Sequence, residues 1–232
     1  MKSAMSRPTR TTMSVLRICF LGLVAEIVMI PDVTAQATQS ATIARTPTLM
    51  DRQREVALAL SACPPSVADK AAVYVLESSG YVKVRDSQNG FTAIVQHALP
   101  TSQDPQCMDA EGTRTFLPRY LKVAELRAHG KTQDEIRQFV ADAFAKGIFQ
   151  PPLRPGVDYM LSTENLVVVD EEKGIVAHFP PHVMFYGPYM TNADLGSNGD
   201  PHSPAFVAGE GTPHALIIVP VAGHTGAKSS LR

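Results

Sequence analysis

Residues 118–147 hold the stretch of this chain with the clearest helical period, and short β-type segments lie on both sides of it. Thr132 and Glu135 stand three apart, the spacing at which hydroxyl and carboxylate each satisfy a free amide at a helix start. Behind them Ile136, Phe139, Val140, Ala143 and Phe144 recur at i, i+3, i+4, i+7 and i+8, a single apolar stripe. Ahead of them Pro118 suits the first turn of "PRYLKVAELRAHG", and Gly130 suits the left-handed residue that closes it. Gly147 ends the second helix. Strands, then a helical pair, then strands is the order of an α+β fold: an antiparallel sheet packed with a helical pair. The alternation of strand and helix that a parallel nucleotide-binding sheet requires is missing.

The flanking segments are read as follows. "LMDRQREVALALSA" (49–62) is a helix former that Thr48 or Asp51 can start and Pro64–Pro65 must stop. "AAVYVLE" (71–77), "YVKVR" (81–85) and "FTAIVQHAL" (91–99) are separated by Ser78-Ser79-Gly80 and Asn89-Gly90. They predict a three-stranded antiparallel meander. Residues 100–115 read as loop. "NLVVVD" (165–170) and "GIVAHF" (174–179) predict a hairpin, and "HVMFYG" (182–187) and "HALIIVPV" (214–221) two further strands. Between the last two, the density of Gly and Pro from Gly196 to Gly211 predicts a long ordered loop.

The N-terminus points to export. Lys2, Arg7, Arg10 and Arg17 precede the apolar run "ICFLGLVAEIVMI", and Val33-Thr34-Ala35 follows ahead of Gln36. Basic, apolar and small-residue regions in that order make a secretory signal over residues 1–35. The apolar run is shorter than the ~20 residues of a spanning helix. Residues 36–47 then form a flexible leader, 48–222 a single α+β domain and 223–232 a disordered tail. Cleavage removes Cys19 and leaves Cys63 with Cys107, an even pair that an oxidising compartment would join. The expected location is periplasmic or secreted, with no membrane span after signal cleavage. A formal net charge of −1 and no basic cluster argue against a nucleic-acid partner.

The well-marked chemistries fail individually. The chain has no GxxxxGK[ST], no GxSxG and no HExxH, and "GEGTPH" places His214 where a dinucleotide loop needs its third glycine. What remains is a polar cluster in the last third. Five of seven histidines lie at 178, 182, 202, 214 and 224, with Asn192, Asp194, Asp200 and Glu210 among them. Imidazoles with carboxylates serve both divalent metals and general acid–base work. His182, Asp194, Glu210 and His214 are therefore the catalytic candidates, and His178, His182, Asp194 and His214 the metal candidates. The plainer reading, which comes first, is that the histidines cap strand ends by bonding loop carbonyls. "NADLGSNGD" (192–200) offers spaced oxygens, but the acid that should close a calcium EF-hand loop falls at Ala205. Thr191 to Asp194 then reads as an Asx-type turn. That turn is expected near "GEGTPH", bringing Asn192 or Asp194 towards Glu210 or His214, because the two apolar strands that carry the segments should share a sheet.

"NGFTAIV", "EGTRTFLP", "HVMFYGPYMTNADLG" and "GEGTPHALIIVPV" resemble segments of a family of uncharacterised exported bacterial proteins, over about residues 50–221. The resemblance implies export and a single α+β domain, and transfers no catalytic residue.

Two functions stay open. One is a non-catalytic binding or envelope-accessory module. The other is a small hydrolase-like or metal-dependent enzyme with His182 or His214 as base, oriented by Asp194 or Glu210. No cofactor is identified, and a divalent metal is the one inorganic partner these residues suit. Protein from the producing cell is expected to begin at Gln36 on N-terminal sequencing. Soluble cytoplasmic protein retaining Met1 or Met13 would refute export.

Overall fold

The computed structural model describes residues 47–170 and 173–221. The expected signal, the leader before residue 47 and the expected tail lie outside the described residues. Helix α1 (Arg52–Ser61) starts at Asp51, whose carboxylate accepts the amides of Gln53 and Arg54, both at 3.0 Å. Pro64 halts the chain, and Pro65 opens a short helix α2 (Pro65–Ala68).

Strands β1 (Ala72–Glu77) and β2 (Gly80–Arg85) form the expected hairpin, closed at Glu77 opposite Gly80. β3 (Thr92–Gln96) departs from the expected meander. It runs parallel to β1, with Thr92 opposite Ala72 and Ala93 opposite Val73. β1 is apolar on both faces and buried along most of its length, so it needs a neighbour on each side, whereas β2 is half-exposed. The 86–91 segment carries the chain across. Gln88 donates to the Lys70 carbonyl at 2.7 Å, and Asn89 Nδ2 to that of Val67 at 2.9 Å.

The expected loop at 100–115 contains β4 (Asp104–Met108) and helix α3 (Ala110–Thr115). β4 pairs antiparallel with all of β3, but β5 (Val157–Met160) reaches only its Cys107 and Met108. Pro105 thus sits in the half of β4 with a single paired neighbour. The helical pair forms as expected. It comprises α4 (Leu117–Ala128) and α5 (Gln133–Ala145), joined through Gly130 at φ 74°. The Thr132–Glu135 capping box is complete: the Glu135 amide donates to Thr132 Oγ1 at 3.2 Å and the Thr132 amide to Glu135 Oε2 at 2.7 Å.

β6 (Leu166–Asp170) and β7 (Ile175–His178) make the expected hairpin, as a separate two-stranded sheet. β8 (His182–Tyr186), β9 (Phe206–Ala208) and β10 (Leu216–Pro220) complete an eight-stranded sheet of order β2-β1-β3-β4-β5-β8-β10-β9. β9 lies inside the connection expected to be loop. The fold is α+β, mostly antiparallel with one parallel pair.

Helices pack on both faces of the sheet. On one, Leu58, Ala59 and Ala62 of the α1 region meet Val73, Val75, Ala93 and Val95. On the other, Phe116, Leu117 and Tyr120 pack on Ile94, Met108 and Tyr186. No helix among the described residues is long and apolar enough to cross a membrane. The Cys63–Cys107 disulfide is present and ties the chain just beyond α1 to β4, across a separation of 44 residues. Replacing both cysteines by alanine should lower stability by about 4 kcal/mol, the chain-entropy value for a loop of this length. Urea unfolding of parent and double variant measures it.

Candidate functional site

The polar turn after β8 lies where the sheet should put it. β8 and β10 pair along their length, from Leu216 opposite Tyr186 to Pro220 opposite His182. Backbone bonds carry the pairing outward, Tyr189 donating to the Thr212 carbonyl at 2.8 Å and Gly211 to that of Met190 at 2.9 Å. Asn192 ties the two segments. Its Nδ2 donates to Glu210 Oε2 at 2.5 Å and to the Val207 carbonyl at 3.2 Å, and its Oδ1 accepts the Val207 amide at 2.7 Å. The expected approach of Asn192 to Glu210 is present.

The remaining candidates are held locally. Asp194 Oδ2 accepts both the amide and the hydroxyl of Thr191 at 2.8 Å, and these bonds keep its pKa below the usual carboxylate value. Asn198 Oδ1 accepts the Asp200 amide, and Asp200 Oδ1 that of His202. Each of these acids and amides serves its own turn. His178 Nε2 meets the Thr163 carbonyl at 2.8 Å. His182 Nδ1 meets the Pro180 carbonyl at 2.8 Å, and its buried ring stands edge-on to Phe179. Burial holds its pKa below the ordinary histidine value. Both contacts are the strand-end bonds to loop carbonyls that the plainer reading of the sequence expects. Among the described residues, no three His, Cys, Asp or Glu side chains gather closely enough to hold a metal ion.

His214 is different. It sits just ahead of β10, is 7% exposed, and neither ring nitrogen has a hydrogen-bond partner. Its ring is stacked on Phe116 with centroids 4.1 Å apart and stands edge-on to Phe144 at 4.6 Å. Burial first, then the charge of Arg119, pushes its pKa down to about 3, opposed by the Gln150 backbone, which lies near the ring without completing a hydrogen bond. The imidazole is therefore neutral at pH 7, with one N–H donor and one lone pair.

His214 lines a cleft of about 680 Å³ between the α4–α5 pair and the sheet, bounded by Val168 of β6 and the 208–214 segment. α4 presents Arg119, Tyr120, Val123 and Arg127 to it, and α5 presents Ile136, Arg137, Val140 and Phe144. β3 and β4 contribute Gln96 and Gln106 to its floor. Gln106 Nε2 donates to Gln96 Oε1 at 2.9 Å, while its Oε1, in a residue 5% exposed, has no partner. Arg119 has its guanidinium 5.0 Å from the Tyr120 ring centroid, and its buried Nε also lacks a partner. Arg127 donates to the carbonyls of His97 and Ala98, the former at 2.5 Å. The sequence reading reached His214 but not Arg119, Gln106 or Tyr120. The available signal was Arg119, Val123 and Arg127 at i, i+4 and i+8, a basic stripe on one helical face.

Two buried acids lie on this side of the sheet, Asp104 of β4 and Asp158 of β5. Burial raises the Asp104 pKa to about 8 and that of Asp158 well above its ordinary value. Asp158 Oδ1 accepts the Cys107 amide at 3.1 Å. Comparison with family models, curated proteins and solved structures finds no match for this chain.

Asp104 makes stability depend on pH with a definite sign. Its unfolded carboxyl loses the proton near 4, while the folded one keeps it to about 8. Between those values the unfolded state binds fewer protons, so this group's contribution falls as pH rises. Asp104→Asn should therefore gain stability relative to the parent from pH 4 to pH 8. Thermal unfolding across that range checks it, and a constant difference would refute the assignment.

Proposed function

We propose that this chain is an exported binding protein, periplasmic or secreted, whose cleft between α4–α5 and the sheet holds a small amphipathic ligand without transforming it. The observation that carries this reading is the cleft itself: apolar walls over a floor where Gln106 Oε1, Arg119 Nε and both nitrogens of His214 are buried without partners. A buried polar atom left unpaired costs about 1–3 kcal/mol. Gathering several of them in one roomy cleft is the pattern of a ligand site, where apolar walls provide affinity and a few polar atoms provide orientation. The disulfide supports an oxidising location.

The same geometry favours binding over hydrolysis. His214 is the one catalytic candidate that lines the cleft, and its pKa of about 3 is far from the near-neutral value that suits a general base. Asp194 and Glu210 are bonded to Thr191 and Asn192.

N-phenyl-1-naphthylamine, an uncharged apolar fluorophore, tests the reading. We expect one molecule bound per chain, with enhanced emission. Ala141 is exposed on α5 and lines the cleft, so Ala141→Trp should obstruct it without disturbing the core. The variant should lose the probe while keeping the parent's unfolding temperature. Equal binding in parent and variant, or a parent that binds neither this probe nor an anionic probe of the same skeleton, would defeat the proposal.

A further inference from the structure

We propose that the cleft selects amphipathic anions, ligands with an apolar body and one carboxylate, and that Arg119 receives the anionic end. This rests on reading the cleft as a ligand site and adds the chemical class of the ligand.

The first support is the charge of the lining. Among the described residues it contains three arginines, at 119, 127 and 137, and no Asp or Glu. The whole chain carries a net charge of −1, so this basic bias belongs to the cleft and not to the protein at large. A cationic ligand entering here would meet guanidinium groups and no carboxylate among the described residues of the wall.

The second is that one of the three is held ready. Arg127 is committed to the carbonyls of His97 and Ala98, and Arg137 to Asp134. Arg119 Nε is buried without a hydrogen-bond partner, and its guanidinium lies beside Tyr120, an uncharged side chain. A guanidinium offers a planar fork of N–H donors that matches a carboxylate, and it stays charged when desolvated. Burial raises the Asp104 pKa to about 8 and raises that of Asp158 as well, which weakens any compensation from the buried acids on this side of the sheet.

The third is the rest of the wall. Val123, Ile136, Val140, Phe144 and Leu216 offer an apolar seat for the ligand's body. Neutral His214 can donate one further N–H to the anion, and Gln106 Oε1 can accept from a hydroxyl on the ligand. A membrane surface or a nucleic acid would need charge spread over an open face. Here Arg119 lines a cleft.

A matched pair of probes isolates the charge. 8-Anilino-1-naphthalenesulfonate has the skeleton of N-phenyl-1-naphthylamine plus one anionic group. The parent should bind the anion at least about tenfold more tightly than the neutral probe. Arg119→Met keeps the apolar stem and removes the fork. It should weaken the anionic probe about tenfold to a hundredfold and leave the neutral probe within about twofold. Decanoate should displace either probe from the parent far better than decylammonium does, a comparison that needs no variant and holds if Arg119→Met fails to fold.

Equal affinity for both probes in the parent, equal loss of both in Arg119→Met, or equal displacement by decanoate and decylammonium would overturn the anion proposal while leaving the cleft a ligand site. Failure of the parent to bind either probe would overturn both.

Discussion

The Tyr186 hydroxyl occupies space that two glycines leave open, and the helical layer is positioned from there. A Cβ on Gly112 would stand 2.1 Å from that oxygen, and one on Gly156 would stand 2.5 Å from the ring. The hydroxyl is shared between Asp109 Oδ1 at 3.1 Å and the Val157 carbonyl at 2.9 Å. Asp109 also accepts the amides of Gly112 and Val157, at 2.9 and 3.0 Å. One carboxylate and one phenol thus join the end of β8, the start of β5 and the first turn of α3. Phe116, which follows α3 directly, stacks on Tyr186 at 5.1 Å and on His214 at 4.1 Å. The departure of α4 from the sheet, and with it the placement of Arg119, follows from that contact.

The sheet face beneath α4 and α5 combines a core with a polar floor. Ile94 and Met108 pack under Phe116 and Tyr120, as a core requires. Their register neighbours Gln106 and Asp158 are polar and buried, and each retains a side-chain oxygen without a partner. A chain selected only for stability would place apolar side chains there. Local breaches of packing logic in an otherwise consistent fold gather where a protein meets something else.

The legibility of each part of the sequence follows from how local its cause is. The α4–α5 pair was readable because its caps, its glycine and its apolar stripe lie within three or four residues of their partners. The β1–β2 hairpin was readable for the same reason. β4 was not, because Asp104, Pro105 and Gln106 are poor strand residues that owe their place to β3 on one side and to the Cys107 bridge. β5 hides behind Asp158 in the same way. The parallel docking of β3 depends on Gln88 and Asn89 reaching back to Lys70 and Val67, which no pattern within the strands announces. Of the four catalytic candidates, His214 was found by residue type, while Arg119 looked like an ordinary basic residue on a helix surface. Only the fold sets the two on one cleft.

The two outer strands of the large sheet give it a further property. β2 carries Lys83, paired with Asp86 at 2.6 Å, and Arg85, whose guanidinium bonds back to the carbonyls of Ala68 and Ala71. β9, at the other end, is only three residues long. A charged border and a truncated one both discourage another chain from adding itself as a ninth strand. The same sheet can therefore hold an apolar-walled cleft in its interior and still resist edge-to-edge self-association when copies of the chain are crowded together.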